Sequence, residues 1–290
     1  MSAIVPVLEV GGTHVSGASV DTDDWTVTGT PDRVPIDGAD GSEQLLDGFA
    51  RAGSALGAAG SSVWGVAMPD PFDYARGIGH FQGVGKFESL DGVDVRAGLL
   101  ARLPGEGMVF GNDADAFTLG EWLAGAGRGS DRVMGLTLGT GIGTGWVADG
   151  SIIDPGTPPG GRAHRLFVDG APLEDVVSRR AIRTAYRLST GAAEPDVAEI
   201  AERARAGERA AEATLAHAMQ ALGRALAPPI RDFAAEVVVV GGSMSASWDL
   251  FAPWFAEGAA DVRLPAIRLA ADPDGAALVG AAYLAVTSSD

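Results

Sequence analysis

The chain has 290 residues, 46% hydrophobic and 20% charged, enough for one large domain or a pair of lobes around a sizeable core. Its 21 basic and 38 acidic residues leave a net charge of −17, which repels phosphate backbones and anionic lipid and so argues against nucleic-acid and membrane-surface binding. With no cysteine there is no disulfide and no thiolate metal site. No basic leader opens the chain and no apolar run nears the roughly 18–20 residues of a membrane span, so a cytoplasmic protein is expected.

In chain order, Ile4–Val10, Val15–Val20 and Trp25–Val34 read as three strands of an antiparallel meander, separated by turn signals. Ser42 to Leu56 reads as a helix, with Ser42 as a possible cap and Leu45, Leu46, Phe49 and Leu56 on one stripe. Val63–Met68 is a buried strand that stops at Pro69-Asp70-Pro71. Residues 72–92 show no clean period and read as a long, functional loop. A short helix over Val93–Leu103 and a strand over Gly107–Phe110 follow, and Asn112-Asp113 opens a helix to about Leu123. Arg132–Leu138 and Ile142–Val147 are two strands around a glycine-rich hairpin, and 154–172 is a Pro/Gly-rich loop. Leu173 to Ala235 is mostly helical, with a long helix near Glu208–Phe233. Val237–Val240 is a strand and Gly275–Val286 a terminal helix. Each half opens with an apolar strand, a turn rich in Gly and Thr, and another strand, as two related lobes facing a cleft would.

Four segments carry possible chemistry. In Glu9-Val10-Gly11-Gly12-Thr13, glycines let the backbone approach a ligand and Thr13 adds a hydroxyl donor for phosphate; a plain type I′ hairpin is the alternative. Leu136 to Gly145 holds Gly139, Thr140, Gly141, Gly143 and three threonines in all, more glycine than a hairpin needs, and suits a loop that wraps phosphates or a β-bulge corner. In Gly111-Asn112-Asp113-Ala114, at a strand end where ligands bind in α/β sheets, Asp113 is either a helix cap or a general base taking a hydroxyl proton, with Asn112 holding a neighbouring hydroxyl. Val237–Val240 running into Gly241-Gly242-Ser243 can seat an adenosine or form a tight turn. There is no Walker P-loop and no dinucleotide fingerprint.

This ordered set resembles the ROK family (repressors, open reading frames, kinases) of the sugar-kinase/actin/heat-shock-protein superfamily. Glu9-Val10-Gly11-Gly12-Thr13 is similar to its Asp-x-Gly-Gly-Thr opening, and Gly65–Asp73 to its Gly-Val-Pro-Gly-Pro-Val-Asp segment. Asn112-Asp113-Ala114 is similar to Asn-Asp-Ala, and Thr137–Gly143 is identical to the Thr-Leu-Gly-Thr-Gly-Ile-Gly signature. Gly241-Gly242-Ser243 resembles the adenosine turn and Gly280-Ala281-Ala282 the terminal helix. The resemblance implies an α/β, two-lobed, ribonuclease-H-like (actin-like ATPase) fold with a cleft between lobes. The expected lobes are residues 1–110, with the 276–290 helix packing back onto them, and 111–275.

The resemblance further implies ATP and Mg²⁺ as cofactors, Asp113 as the catalytic base and Asn112 as a sugar contact. Gly11, Gly12, Thr13, Gly139, Thr140, Gly141, Gly241, Gly242 and Ser243 would hold the nucleotide. Glu9, in place of the family's Asp, would position Mg²⁺, through water if need be. Gly160-Gly161-Arg162-Ala163-His164 and Leu173-Glu174 stand where the family has Gly-Glu-x-Gly-His and Leu-Glu, making His164 and Glu174 sugar contacts. Gly161 replaces the family's Glu, and the cysteines of its zinc knuckle are missing, so no zinc is expected. Arg162 is either a surface residue or reaches the site. Gln82, in the loop His80–Phe87, is either a substrate contact or an exposed loop residue.

The expected activity is ATP-dependent phosphorylation of a primary hydroxyl on a hexose-like sugar. An amino sugar or cyclitol, of kanosamine or valiolone type, is the alternative substrate, and a non-catalytic sensor the alternative function. A transcriptional regulator is disfavoured, because the first phosphate turn begins at Glu9 and the net charge is −17. The expected assembly is a homodimer.

Overall fold

The computed structural model describes residues 4–56, 63–153, 162–191 and 194–288. They fall into two compact units, one of residues 1–128 with 272–290 and one of 129–271.

The first unit is built on a five-stranded sheet of order β3-β2-β1-β4-β7. Strands β1 (Ile4–Val10), β2 (His14–Asp21) and β3 (Thr26–Pro35) form the antiparallel meander. Strands β4 (Val63–Met68) and β7 (Gly107–Asn112) add in parallel. A two-stranded ribbon, β5 (Phe72–Asp73) with β6 (Ile78–Gly79), lies between them in the chain. β1 is buried on both faces, which is why it reads as an almost unbroken apolar run. Leu8 and Val10 pack with helix α1 (Ser42–Gly53) and its surroundings, while Val5 and Val7 face the C-terminal helix α9 (Pro273–Thr287). Ser42 is the first helical residue and not the cap: Gly41 holds that place, its N–H donating to Gln44 Oε1 at 3.2 Å.

The 72–92 segment is less of a loop than its sequence suggests. Besides the ribbon it carries a 3₁₀ turn at Glu88–Leu90, and Phe72, Phe81 and Phe87 are buried against one another and against Phe110. Aromatics with no period are here a core assembled by tertiary contact, over which helix α2 (Val95–Leu100) closes.

Helix α3 (Asp113–Leu123) leaves the end of β7 and lies along α9. This pairing places α3 in the first unit, whose limits fall at 128/129 and 271/272. The helices meet through small residues. A Cβ on Gly120 would overlap the Ala276 carbonyl, and one on Gly280 the Ala116 carbonyl. On β4, a Cβ on Gly65 would overlap the Ala281 carbonyl. Helix, helix and strand are thus in backbone contact.

The second unit repeats the sheet pattern, with order β10-β9-β8-β13-β14. Strands β8 (Arg132–Leu138), β9 (Ile142–Ala148) and β10 (Ser151–Ile152) are antiparallel. Strands β13 (Val237–Gly241) and β14 (Ala266–Leu269) continue in parallel. The echo between the halves of the sequence is therefore a shared topology. After the ribbon β11 (Phe167–Val168) and β12 (Ala171–Pro172) come helices α4 (Glu174–Val177), α5 (Arg179–Thr190), α6 (Val197–Arg205), α7 (Arg209–Phe233) and α8 (Trp248–Gly258). Their apolar faces close over Trp146, Tyr186, Phe233, Phe251 and Phe255. Among the described residues no helix is long and apolar enough to cross a membrane.

Gly280→Ala should cost about 3 kcal/mol of unfolding free energy, because the added methyl meets backbone and cannot be absorbed by a rotamer change. Urea denaturation checks it; a loss below about 0.5 kcal/mol would show that α3 and α9 can separate freely.

Candidate active site

In the first unit the sheet register places the chemistry. Glu9 pairs with Ser16, and Ser16 with Arg33, so these three form a cross-strand row over β1, β2 and β3. The row lies on the face that carries Val5 and Val7, where α9 packs. After two valines on this face, Glu9 puts a carboxylate where alternation calls for an apolar side chain.

That carboxylate is enclosed. Glu9 Oε2 is buried and has no hydrogen-bond partner. Burial, together with the negative charges of Asp274 and Asp113, pushes its pKa up to about 8, and Arg33 only partly offsets this. The carboxylates at the starts of α9 and α3 thus both act on the one at the end of β1. Among the described residues no group of three or more His, Asp or Glu side chains is arranged to hold a metal directly. A buried, unpartnered carboxylate oxygen among like charges nevertheless suits a divalent cation reached through water, so Glu9 fits the role the sequence assigns it.

The turn between β1 and β2 is closed by the Gly11 N–H donating to the His14 carbonyl at 2.9 Å. Neither Gly11 nor Gly12 takes a left-handed backbone, so this is not the type I′ hairpin. His14 Nδ1 lies 3.4 Å from Thr13 Oγ1 and 3.4 Å from an Arg33 Nη. Its pKa is lowered, mainly by burial and then by Arg33, which favours an unprotonated Nδ1 that accepts from both. The other Arg33 Nη donates to Asp274 Oδ2 at 3.3 Å.

At the β7–α3 junction Asn112, and not Asp113, is the helix cap. Its Oδ1 accepts from the N–H groups of Ala114 and Asp115 at 3.0 and 3.2 Å. Its Nδ2 donates to Asp70 Oδ2 and Tyr74 Oη, each at 3.2 Å. Tyr74 Oη in turn donates to Asp70 Oδ1 at 2.8 Å. Burial and the Asp70 charge hold the Tyr74 hydroxyl above its ordinary pKa, so it stays a donor. Asn112 is 5% exposed and its carboxamide is fully engaged, so its evident task is to fix the start of α3. Asp113, the first residue of that helix, is half-buried and accepts from the Ala114 N–H at 2.8 Å.

In the second unit, the turn Gly139–Gly141 and the segment Gly241–Ser243 are neighbours. Gly242 has φ +83°, and a Cβ there would overlap the Leu138 carbonyl, so glycine is required. Met244 N–H donates to the same carbonyl at 3.0 Å. Ser243 Oγ would lie 3.5 Å from a Cβ on Gly139. Gly139 and Gly141 are not left-handed, so no turn geometry demands them. Glu174, the first residue of α4, brings Oε1 to within 2.5 Å of where a Gly141 Cβ would be. Beside these turns lies a cavity of about 100 Å³, lined in part by Arg179, Asp196, Val197, Ser243, Met244 and Ser247. The Arg179 guanidinium is bidentate on Asp196, at 2.6 and 2.7 Å.

The other expected site residues fall as follows. Gln82 is exposed, and its backbone N–H donates to Asp91 Oδ1 at 3.2 Å. Gly161 and the side chain of His164 lie outside the described residues. Arg33, His14, Asp70, Tyr74, Arg179, Asp196 and Asp274 were missed. Only Asp272-Pro273-Asp274 carried a legible signal, that of a helix start with a capping Asp and Pro at its first position.

The chain matches the ROK family over residues 8–161 and 169–288. A glucokinase from Thermotoga maritima is 30% identical over 249 residues, covering 76% of this chain and 78% of that protein. A ROK hexokinase from Thermus thermophilus superposes with a TM-score of 0.79 at 23% identity, over 100% of this chain and 99% of that one. A ROK family glucokinase from Streptomyces griseus, solved with glucose and AMPPNP, gives 0.79 at 21% identity, over 98% of this chain and 100% of that one. Fold, ordered motifs and this likeness define a sugar-kinase-like α/β protein. The chain belongs to the ROK family.

The Glu9 shift sets a pH dependence. Between its unfolded value of 4.5 and about 8 the folded state holds a proton the unfolded state has lost, so stability falls as pH rises through that window. Glu9→Gln should therefore melt higher than the parent at pH 8.5 without divalent cation, with the gap closing toward pH 4.5. Thermal melts across pH test this; equal gaps at all pH values would refute the buried-carboxylate account.

Proposed function

We propose that this ROK chain is an ATP-dependent kinase that phosphorylates the primary hydroxyl of a hexose-like sugar. Asp113 carries the reading: it stands at the C-terminal end of β7, oriented by a capped helix start, within the field of the enclosed Glu9 carboxylate. Family membership and the likeness to glucokinases support it.

The chemistry assigned to the chain follows from these positions. Asp113 accepts the proton of the sugar hydroxyl as its oxygen bonds to the γ-phosphorus and the bond to ADP breaks. Asn112, Asp70 and Tyr74 hold Asp113's helix in place. In the first unit the backbone N–H groups of the 11–13 turn and the Thr13 hydroxyl, and in the second those of the 139–141 turn, are groups that bind phosphate oxygens. The cavity beside Gly241-Gly242-Ser243 has an apolar wall at Val197 and Met244 and polar groups at Ser243, Ser247 and the Arg179–Asp196 pair, which suits an adenosine. Glu9 would hold Mg²⁺ through water, and that ion would supply charge neutralisation at the phosphates.

An amino sugar or cyclitol is the second reading. It rests on Gly161, where the family's carboxylate is lost, so that one hydroxyl partner of a neutral hexose is missing. A coupled assay over hexoses, amino sugars and cyclitols decides between them, and turnover of none would favour a sensor.

Asp113→Asn should lower kcat by about 10²–10⁴ while sugar affinity stays within a few-fold. Near-normal turnover would leave Asp113 a structural residue. Glu9→Asp should keep most activity, because charge and water-mediated contact survive a one-carbon shortening, whereas Glu9→Ala should weaken the Mg²⁺ dependence and turnover together. An alanine variant with both unchanged would remove Glu9 from the mechanism.

A further inference from the structure

We propose that Arg33 is a further catalytic residue of this site, one that binds the transferable phosphate of the nucleotide and neutralises the charge gathering there during transfer. The inference rests on the kinase reading and deepens it.

Four observations carry it. First, the Thr13 hydroxyl and the Arg33 guanidinium both lie against Nδ1 of His14, each at 3.4 Å, so Arg33 is one atom away from the donor of the phosphate turn. Second, the Glu9–Ser16–Arg33 row puts Arg33 on the face of the sheet that bears the Glu9 carboxylate, two strands away. Third, the site is acidic: Asp113 and Asp274 both act on Glu9, and Arg33 is the cation that acts on it. A nucleotide triphosphate adds several further negative charges, and a site of this composition needs a fixed positive group to accept them. Fourth, two other arginines of this unit are engaged elsewhere. Arg102 pairs with Glu43 and Asp47, and Arg96 donates to the carbonyls of Tyr74, Ala75 and Arg76.

The resident contacts of Arg33 are of a kind that a phosphate can replace. Its pair with Asp274 is single-pronged at 3.3 Å, and both side chains are more than half exposed, at 54% and 73%. Such pairs are weak. A planar guanidinium on phosphate oxygens forms two parallel charge-assisted bonds and so exchanges one loose partner for a better one. The neutral His14 ring orients the fork toward Thr13.

The test uses the full chain with ATP, ADP, a non-hydrolysable ATP analogue and the best sugar of the panel. Arg33 is exposed, so Arg33→Ala and Arg33→Lys should both fold. Arg33→Ala should lower kcat by about 10²–10³ with sugar affinity within about twofold. Calorimetry should show the ATP analogue weakened about tenfold and ADP hardly changed, because the lost partner is the terminal phosphate. Arg33→Lys, which keeps the charge and loses the fork, should recover part of the turnover. Arg33→Ala with kcat within about threefold of the parent, or with ADP and the analogue weakened alike, overturns the assignment. A parent enzyme that transfers phosphate beside such an Arg33→Ala result would sink this inference alone. A parent that binds no nucleotide would sink the kinase reading with it.

Discussion

Everything in the first unit depends on α3, α9 and β4 meeting backbone to backbone. Gly120, Gly280 and Gly65 each face a carbonyl at a distance no Cβ could tolerate. Small-residue contact of this kind leaves no room for the elements to slide, so the positions of both helix N-termini are fixed relative to the sheet. Those N-termini carry Asp113 and Asp274. The carboxylates that act on Glu9 are therefore placed by glycines far along the helices and not by anything local to the site.

The electrostatic consequence is a site that works against its own stability. A carboxylate enclosed without a partner and set among like charges is unfavourable in the isolated protein. The folded protein relieves it by holding a proton on Glu9 up to about pH 8, and a bound cation would relieve the ionised form. Arg33, at the end of the cross-strand row from Glu9 through Ser16, supplies part of the missing positive charge, and the neutral His14 ring lies against its guanidinium. Asn112 belongs to the supporting frame: its carboxamide joins β7, the start of α3 and the Asp70–Tyr74 pair, so Asp113 beside it is held without itself being the cap.

In the second unit glycine serves two separate purposes within a few ångströms. Gly242 is required by its left-handed backbone and by the closeness of Leu138, and it pins β13's exit to the end of β8. Gly139 and Gly141 need no such conformation. Their lack of a side chain leaves the backbone of the turn uncovered between Ser243 and Glu174.

Much of this was legible in the chain because it is local. Period-2 and unbroken apolar runs gave β1, β2, β4, β8 and β13, and dense glycine with threonine marked both turns. Asn112-Asp113 after a strand marked the helix start, although which of the two caps it is a matter of side-chain direction that spacing does not encode. The 72–92 segment reads as loop in the sequence because Phe72, Phe81 and Phe87 meet one another and Phe110 only after the chain has folded back on itself. That α3 belongs with the first unit is likewise invisible in the sequence, since its partner α9 lies some 150 residues further on. The family and the repeated strand–turn–strand pattern were legible in the sequence alone, because both are written in contiguous motifs. Only the tertiary structure decided that Glu9 is enclosed, that Asp274 and Arg33 stand beside it, and that Asn112 is a brace. Burial and charge proximity are properties of elements distant in sequence, brought together by packing.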